Sequence, residues 1–165
     1  MKNYGIIHPS HQILTMAVTS DRKYLFTSDN GGHLKHWNIK SQKLVKNYGR
    51  PHPMVIRSIV ITKDDRYLFT SDIQGILKQW DIQKQKLFKN YNKVHQFWIH
   101  SMVITNNNRY LFTSDICGTV KCWNLENFEE EFDKKKEFFT GIRCMVLTSD
   151  GKYLFISDSE GNVRQ

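Results

Sequence analysis

Hydrophobic and polar positions recur along this chain in four copies of one pattern. Each copy contains a short segment of aromatic and aliphatic residues that ends in Ser-Asp, and successive segments begin 43 residues apart, at Tyr24, Tyr67, Tyr110 and Tyr153. Because no insertion or deletion changes this step, the chain is predicted to consist of repeats of one supersecondary unit. The units span approximately residues 8–50, 51–93, 94–136 and 137–165, and the last one is truncated.

The second unit shows which strands the pattern predicts. Residues 56–62 form a near-continuous apolar run, which is typical of a strand buried on both faces. Residues 67–71 and 76–82 predict two more strands, joined by a segment whose Asp and Gly suit a tight hairpin turn. Residues 86–91 alternate charged and apolar side chains, as a half-exposed outer strand does. Each unit is therefore predicted to be a four-stranded antiparallel meander.

A four-stranded sheet with two apolar faces cannot bury both alone, so it must pack against further copies of itself. Radial packing of such sheets gives a β-propeller, and the predicted fold class is all-β, with about four 43-residue blades. The next tryptophan of the series would fall at position 166, one residue beyond Gln165. We therefore expect an incomplete propeller. Closure by four blades is the less favoured alternative, and open edge strands would allow pairing with another chain.

Residues that keep the same step resemble the WD-repeat family, whose units of about 40–45 residues carry a Gly-His and Trp-Asp signature. Trp80-Asp81 is the literal dipeptide, and each matching histidine lies 28 positions before its tryptophan. The resemblance implies that these residues form part of the family's buried His–Ser/Thr–Asp–Trp hydrogen-bond network. The matching residues are His52 and His95; Thr27, Thr70 and Thr113; and Trp37, Trp80 and Trp123.

The carboxylate of that network has no candidate at the family's position, six residues before the tryptophan. That position holds Gly31, Gln74, Cys117 and Glu160. The repeated aspartates lie two residues earlier, where we expect them to cap the turn through their own backbone without needing to reach a histidine. They are Asp29, Asp72, Asp115 and Asp158. At the histidine position the first unit has Pro9, with His8 beside it, and the fourth has Phe138.

Composition predicts a soluble cytoplasmic protein. The N-terminal segment lacks the apolar run of a signal peptide, and no window approaches the roughly 20 apolar residues of a membrane helix. The 3 cysteines fit no metal or redox spacing, and we expect no disulfide in a reducing compartment. Cys144 is expected to be buried in a strand, and Cys117 to occupy a turn.

Catalysis and metal binding are not expected. His8/His11 and His33/His36 have a three-residue spacing that can bind zinc on a helix. Residues three apart on a strand face opposite sides, so these four are predicted to be surface or turn histidines. No nucleophile elbow or phosphate-binding glycine loop is present, and no cofactor is expected. Residues 149–155 would also suit a lactonase-like propeller enzyme, but the repeated tryptophans and histidines argue against that hypothesis.

Positions that differ between the repeats indicate where a partner would bind. In a propeller, the loops before the first strands and the turns between second and third strands lie on one face, and loops carry most binding functions. Aromatic and Arg side chains there would be the energetic centres, although the apolar ones could instead pack against neighbouring blades. The candidates are Arg57, Trp98, His100, Arg143, Asn30, Ile73 and Ile116. The predicted function is a non-catalytic scaffold for peptide or protein partners.

The formal charge of +8 leaves one alternative open, a basic surface that binds anionic lipid or nucleic acid. The lysines recur on the predicted third and outer strands of each unit. A rim of lysines spread around a ring is more simply explained as solubility and edge protection than as a nucleic-acid groove.

Overall fold

The computed structural model describes residues 4–5, 7–134 and 141–165, and these residues form an all-β structure. Its 15 strands are arranged in four antiparallel sheets, which we number as blades 1 to 4. Blade 1 comprises β1 (Ile13–Val18), β2 (Tyr24–Asp29), β3 (Leu34–Asn38) and β4 (Leu44–Asn47). Blade 2 comprises β5 (Ile56–Ile61), β6 (Tyr67–Asp72), β7 (Ile76–Asp81) and β8 (Lys86–Lys93). Blade 3 comprises β9 (Ile99–Ile104), β10 (Tyr110–Asp115), β11 (Val120–Asn124) and β12 (Glu130–Lys134), and blade 4 comprises β13 (Ile142–Leu147), β14 (Leu154–Asp158) and β15 (Val163–Arg164).

The strands of each blade are hydrogen-bonded in chain order, so every blade is a meander. The first strands of consecutive blades lie side by side, β1 against β5, β5 against β9 and β9 against β13. This arrangement is that of neighbouring propeller blades around an axis, and it confirms the fold class inferred from the repeat.

The hydrophobic core is divided into three clusters, and each cluster lies between two neighbouring blades. Phe26 and Leu34 of blade 1 pack with Ile56 and Ile59 of blade 2, and Phe69 and Leu77 of blade 2 pack in the same way with β9 of blade 3. The third cluster joins Val120 of blade 3 to β13 of blade 4. Burial of apolar area therefore comes from the stacking of blades, as expected for sheets too thin to form a core alone.

Hydrogen bonds between neighbouring blades also join the turns after the first strands. The carboxylate of Asp65 in blade 2 accepts the backbone N–H groups of Ser20 and Asp21 in blade 1, at 2.6 and 2.9 Å. Asn108 of blade 3 makes the equivalent contact with the N–H of Lys63 in blade 2, at 2.7 Å. Since these turns are exposed, the bonds fix the register between blades rather than add to the core.

Two expectations about individual side chains are wrong. Cys144 is exposed on β13, because it points to the face of blade 4 that no described residue covers, whereas Ser101 at the same place in blade 3 bonds the N–H of Met145 in blade 4. His8 and His36 are buried rather than superficial. The ring of His36 stacks on Phe26, with the ring centroids 4.3 Å apart.

Candidate functional site

A buried hydrogen-bond network holds the binding face of blade 2 in place. The indole N–H of Trp80 donates to Thr70 Oγ1 at 2.9 Å, and the Thr70 hydroxyl lies 2.8 Å from His52 Nε2. His52 Nδ1 lies 3.0 Å from Asp72 Oδ2. Because the carboxylate can only accept, the neutral ring donates from Nδ1 and accepts the Thr70 proton at Nε2. The result is a continuous chain of donors from tryptophan to carboxylate.

The same four groups meet in blades 1 and 3. In blade 3, His95 lies 3.1 Å from Asp115 Oδ2 and 2.7 Å from Thr113 Oγ1, and Trp123 donates to that hydroxyl. In blade 1 the histidine is His8, which lies 2.6 Å from Asp29 Oδ2 and 2.8 Å from Thr27 Oγ1, and Trp37 donates to Thr27.

The expectation that the aspartates need not reach a histidine is therefore wrong in these three blades, and so is the conclusion that the fourth member of the network is absent. Thr70 and Asp72 are two residues apart on one strand, so their side chains lie on the same face. That period of two was the sequence signal that could have identified the carboxylate. In blade 1 the expected histidine position holds Pro9, which has no side-chain donor. Its neighbour His8 was therefore the available histidine for the network of this blade.

Each aspartate also caps the turn that follows it. Asp72 Oδ1 accepts the N–H groups of Gln74 and Ile76 at 2.9 and 3.0 Å, while Oδ2 faces His52. Burial lowers the pKa of His52, although its bond to Asp72 opposes that shift. The ring therefore stays neutral at pH 7 and donates from Nδ1 to the carboxylate. Asp72 thus connects the turn at 72–75 to the loop before β5, which contains His52. We call the loop that precedes the first strand of each blade its leading loop.

Blade 4 has the same turn cap. Asp158 Oδ1 accepts the N–H groups of Glu160 and Asn162, and its Oδ2 accepts the side-chain amide of Asn162 at 2.9 Å. Phe138, at the histidine position of this unit, lies outside the described residues.

Main-chain bonds place the candidate binding residues next to each other in pairs. In every blade the residue after the aspartate donates its N–H to the carbonyl of the residue before the first strand. Ile73 donates to Val55, Ile116 to Trp98, Asn30 to Gln12 and Ser159 to Gly141, at 3.0 to 3.2 Å. The positions that vary most between repeats are therefore direct neighbours on one face.

A groove lies between blades 2 and 3 on this face. It encloses about 550 Å³ and is lined by Ile73 and Gln74 of one turn and by Gln96, Phe97 and Trp98 of the next leading loop. Phe97 and Trp98 are 47% and 43% exposed, high fractions for large apolar side chains. Phe97 was not among the predicted residues, although two adjacent aromatics in a loop are a sequence signal that could have identified it.

Three basic side chains occupy equivalent positions in blades 2, 3 and 4. In each of these blades the pairing of the first two strands has a register shift after its first residue, and the residue passed over is Arg57, His100 or Arg143. A bulge of this kind redirects a side chain. Burial lowers the pKa of His100, and the charges of Arg57 and Arg143 lower it further, so the three groups lie close enough to interact.

The other candidates are placed differently. Ile116 is half-buried, and a side chain at Gly141 would collide with its carbonyl oxygen, so it packs against the leading loop of blade 4. Asn30 is exposed, but its side-chain oxygen accepts the N–H of Gln12 at 3.1 Å. The structure therefore joins Ile73 and Trp98 in the groove, brings Arg57 and Arg143 within electrostatic range of His100, and leaves Asn30 and Ile116 outside the groove.

The lysines of the third strands have structural partners. Lys35 and Lys78 donate to the carbonyls of Ile7 and Pro51 in the leading loops, and Lys121 pairs with Glu130 at 2.8 Å. These ammonium groups hold loops and neighbouring strands.

Comparison with known proteins agrees with this geometry. The family described as WD domain, G-beta repeat matches residues 86–124, which run from β8 to the end of β11. The fold is similar to that of the WD40 repeats of RRP9, with a TM-score of 0.83 and 15% identity, and to the WD40 β-propeller domain of Doa1, with a TM-score of 0.79 and 18% identity. The chain therefore has the fold of WD40 β-propellers, and residues 86–124 match the WD-repeat family.

The chain spans about half the length of the solved structures that it matches. It is covered to 93% by the RRP9 repeats and to 92% by the Doa1 domain, and it covers 47% and 49% of those chains. The structure of U3-55K is also similar, with a TM-score of 0.79, 15% identity and coverage of 94% of this chain and 51% of that one. Among curated proteins none matches the sequence. Within the part of the chain that the structure describes, no helix has the length and hydrophobicity needed to cross a membrane.

Proposed function

We propose that this WD-repeat chain is a non-catalytic scaffold that binds a segment of another protein in the groove between blades 2 and 3. The observation that carries the proposal is the pair of exposed aromatic side chains, Phe97 and Trp98, at the wall of that groove. Large aromatic side chains in a concave site are the usual energetic centres of protein interfaces. The free cysteines fit a reducing compartment, so we place the scaffold in the cytoplasm.

The groove is preformed because both of its walls are fixed. The turn at 72–75 is capped by Asp72, and the leading loop before β9 is held through His95 by the network of blade 3. Gly75 is also part of this construction, since its φ of +81° and the carbonyl of His95 leave no room for a side chain. A wall that does not need ordering lowers the entropic cost of binding.

The chemistry of the site favours a peptide with an apolar anchor next to an acidic residue. Ile73, Phe97 and Trp98 provide the apolar contact. Lys93 lines the same groove, and the charges of Arg57 and Arg143 reach His100, two residues after Trp98, so a carboxylate on the peptide would be attracted to this region.

The test uses substitutions that copy other repeats, so that each variant retains a residue the fold accepts. Peptides selected from a random display library on the wild-type chain would be measured against the double variant Phe97→Met, Trp98→Val, which has the equivalent residues of unit 2, Met54 and Val55. We expect the Kd to rise at least tenfold, or about 1.4 kcal/mol. The matched control is Phe88→Val, which copies Val45 on the exposed outer strand and should leave the Kd unchanged.

Two results would overturn the proposal. One is that the selected peptides bind the double variant as tightly as the wild type. The other is that no peptide binds while an RNA oligonucleotide or an anionic vesicle does, with an affinity that falls steeply with salt, as electrostatic binding requires. A second variant replaces Arg57 and Arg143 by Leu, the residue of unit 1 at that place. Peptides whose Kd rises in this variant are those that use an acidic residue beside their apolar anchor.

A further inference from the structure

Two histidines of blade 1 that are distant in sequence meet at its turn. His11 in the leading loop and His33 after the turn have ring centroids 4.9 Å apart. Together with Asp29 they offer one ligand atom each, and these atoms lie within 4.8 Å of one another. The sequence spacing had suggested the pairs His8/His11 and His33/His36. The structure instead places His8 in the tryptophan network and His36 in the core, and brings the remaining two together.

The hydrogen bonds of His11 leave the right atom available for a metal ion. His11 Nδ1 lies 3.0 Å from the carbonyl oxygen of Pro9. A carbonyl can only accept, so Nδ1 carries the proton and Nε2 has the free lone pair. A ligating histidine typically donates its other ring N–H to a carbonyl or carboxylate in this way, which fixes both its tautomer and its orientation.

The other two ligand atoms are already close and well oriented. His33 Nδ1 lies 3.0 Å from both oxygens of Asp29. The carboxylate is held by the backbone N–H groups of Gly31 and His33, at 2.9 and 3.0 Å, and on its other oxygen by His8. A metal ion between His33 and Asp29 would replace one hydrogen bond and would need little rearrangement of the turn.

Gly31 provides the space in which the two imidazoles lie. A Cβ at this position would be 2.5 Å from His11 Cδ2, 2.6 Å from its Nε2 and 2.8 Å from His33 Cε1. The other units have Gln74, Cys117 and Glu160 here. They also lack the histidines, since Met54, Phe97 and Thr140 stand in place of His11, and Ile76, Thr119 and Asn162 in place of His33. All three features of the cluster therefore occur together in blade 1 alone.

We propose that His11, Asp29 and His33 form a binding site for a divalent transition metal, with Zn²⁺ as the best fit. Two imidazoles and one carboxylate are a common zinc ligand set, and three protein ligands leave a fourth position for water. His11 is exposed, so this position is open to solvent. The metal would link the leading loop of blade 1 to the turn at 29–33, and the proposal does not depend on the peptide groove.

The test is metal binding by the full chain without a polyhistidine tag. Isothermal titration with Zn²⁺ should give one site per chain, and Co²⁺ should produce the visible absorption bands of a low-symmetry, four- or five-coordinate site. His11→Met and His33→Thr copy units 2 and 3, and each should weaken zinc binding at least about tenfold. Gly31→Gln copies unit 2, retains both histidines and should also abolish binding, because its side chain occupies the space of the rings.

Two matched controls separate this site from adventitious binding. His100→Arg copies units 2 and 4 at a histidine outside the cluster, and Cys117→Ser combined with Cys144→Ser removes the exposed thiols. Both proteins should bind Zn²⁺ as the wild type does. The proposal is overturned if the wild type binds no zinc, if His11→Met, His33→Thr and Gly31→Gln all retain the wild-type affinity, or if binding is lost with the cysteines.

Discussion

Blade 1 and the inner blades carry the same apolar pattern, but their faces are covered to different extents. Met16 on β1 is 61% exposed, whereas the residues one, two and three repeats later, Ile59, Met102 and Met145, are 3 to 6% exposed. Each of these three packs against the preceding blade. The repeat therefore determines which side of a strand is apolar, and the presence of a neighbouring blade determines whether that side is buried.

The opposite face of blade 4 shows the same contrast. Leu34, Leu77 and Val120 are buried against the next blade, while Val163 at the same place is 67% exposed. Phe155 and Val146 lie on this face as well and are exposed. Equivalent side chains thus differ in their energetic contribution, because free energy follows the apolar area that is removed from water.

The largest expected effect comes from truncation of an equivalent residue in an inner and an outer blade. Leu77→Ala should lower the free energy of unfolding by about 2–5 kcal/mol, since it leaves a cavity between blades 2 and 3. Val163→Ala should change it by less than about 0.5 kcal/mol because that side chain is exposed. Urea denaturation followed by tryptophan fluorescence measures both, and equal losses would contradict the stacking account.

The next effect concerns the network that blades 1 to 3 share. Asp72→Asn keeps the shape of the side chain and its turn cap but removes the charge-assisted bond to the buried ring of His52, which should cost about 1.5–3 kcal/mol. Asp115→Asn in blade 3 is the comparison, because that carboxylate also bonds a buried histidine and caps its turn. A similar loss is expected there, and a loss below about 0.5 kcal/mol at both sites would show that the turn cap, which Asn retains, and not the histidine bond is what stabilises the fold.

The repeat predicted the fold well because the pattern of apolar residues in each strand indicates which of its faces are buried. The apolar run at 56–62 and the alternation at 86–91 correspond to β5 and β8, and the step of 43 residues places four equivalent sheets side by side. Such regularity is rare in a sequence, and only radial stacking satisfies the two apolar faces of every unit.

The candidate site was less predictable, because it depends on contacts between units. The register shift that redirects Arg57, and the approach of Gly75 to the leading loop of the next blade, are properties of backbone geometry. The meeting of His11 with His33 required the turn to fold back over Gly31. The bond of Asp72 to His52 was missed for a different reason. The family's position relative to the tryptophan falls on Gln74, whereas Asp72 lies two residues after Thr70 and on the same face of β6.

The smallest expected effect at pH 7 concerns His36 in blade 1. His36 is buried without a hydrogen-bond partner among the described residues, and burial lowers its pKa to about 4. The unfolded ring takes up its proton near pH 6.5, so the folded state binds fewer protons between these values. The free energy of unfolding is therefore unaffected by His36 above pH 6.5. Below that pH the titration of His36 lowers it by up to about 1.4 kcal/mol per pH unit, until the pH reaches about 4.

Blade 2 indicates how this sensitivity can be removed. Gln79 stands at the place of His36 there, and its side-chain oxygen accepts the hydroxyl of Tyr91 at 2.6 Å. In blade 1 the equivalent hydroxyl, that of Tyr48, is buried and has no partner among the described residues. His36→Gln should therefore raise the free energy of unfolding at pH 7 by about 0.5–1.5 kcal/mol, as the new bond satisfies Tyr48. It should also flatten the decline between pH 6.5 and 4, because Gln takes up no proton. Urea titrations across this range measure both changes, and a variant that is as acid-sensitive as the wild type would show that the loss originates in His8 or His52, whose pKa values are also lowered by burial.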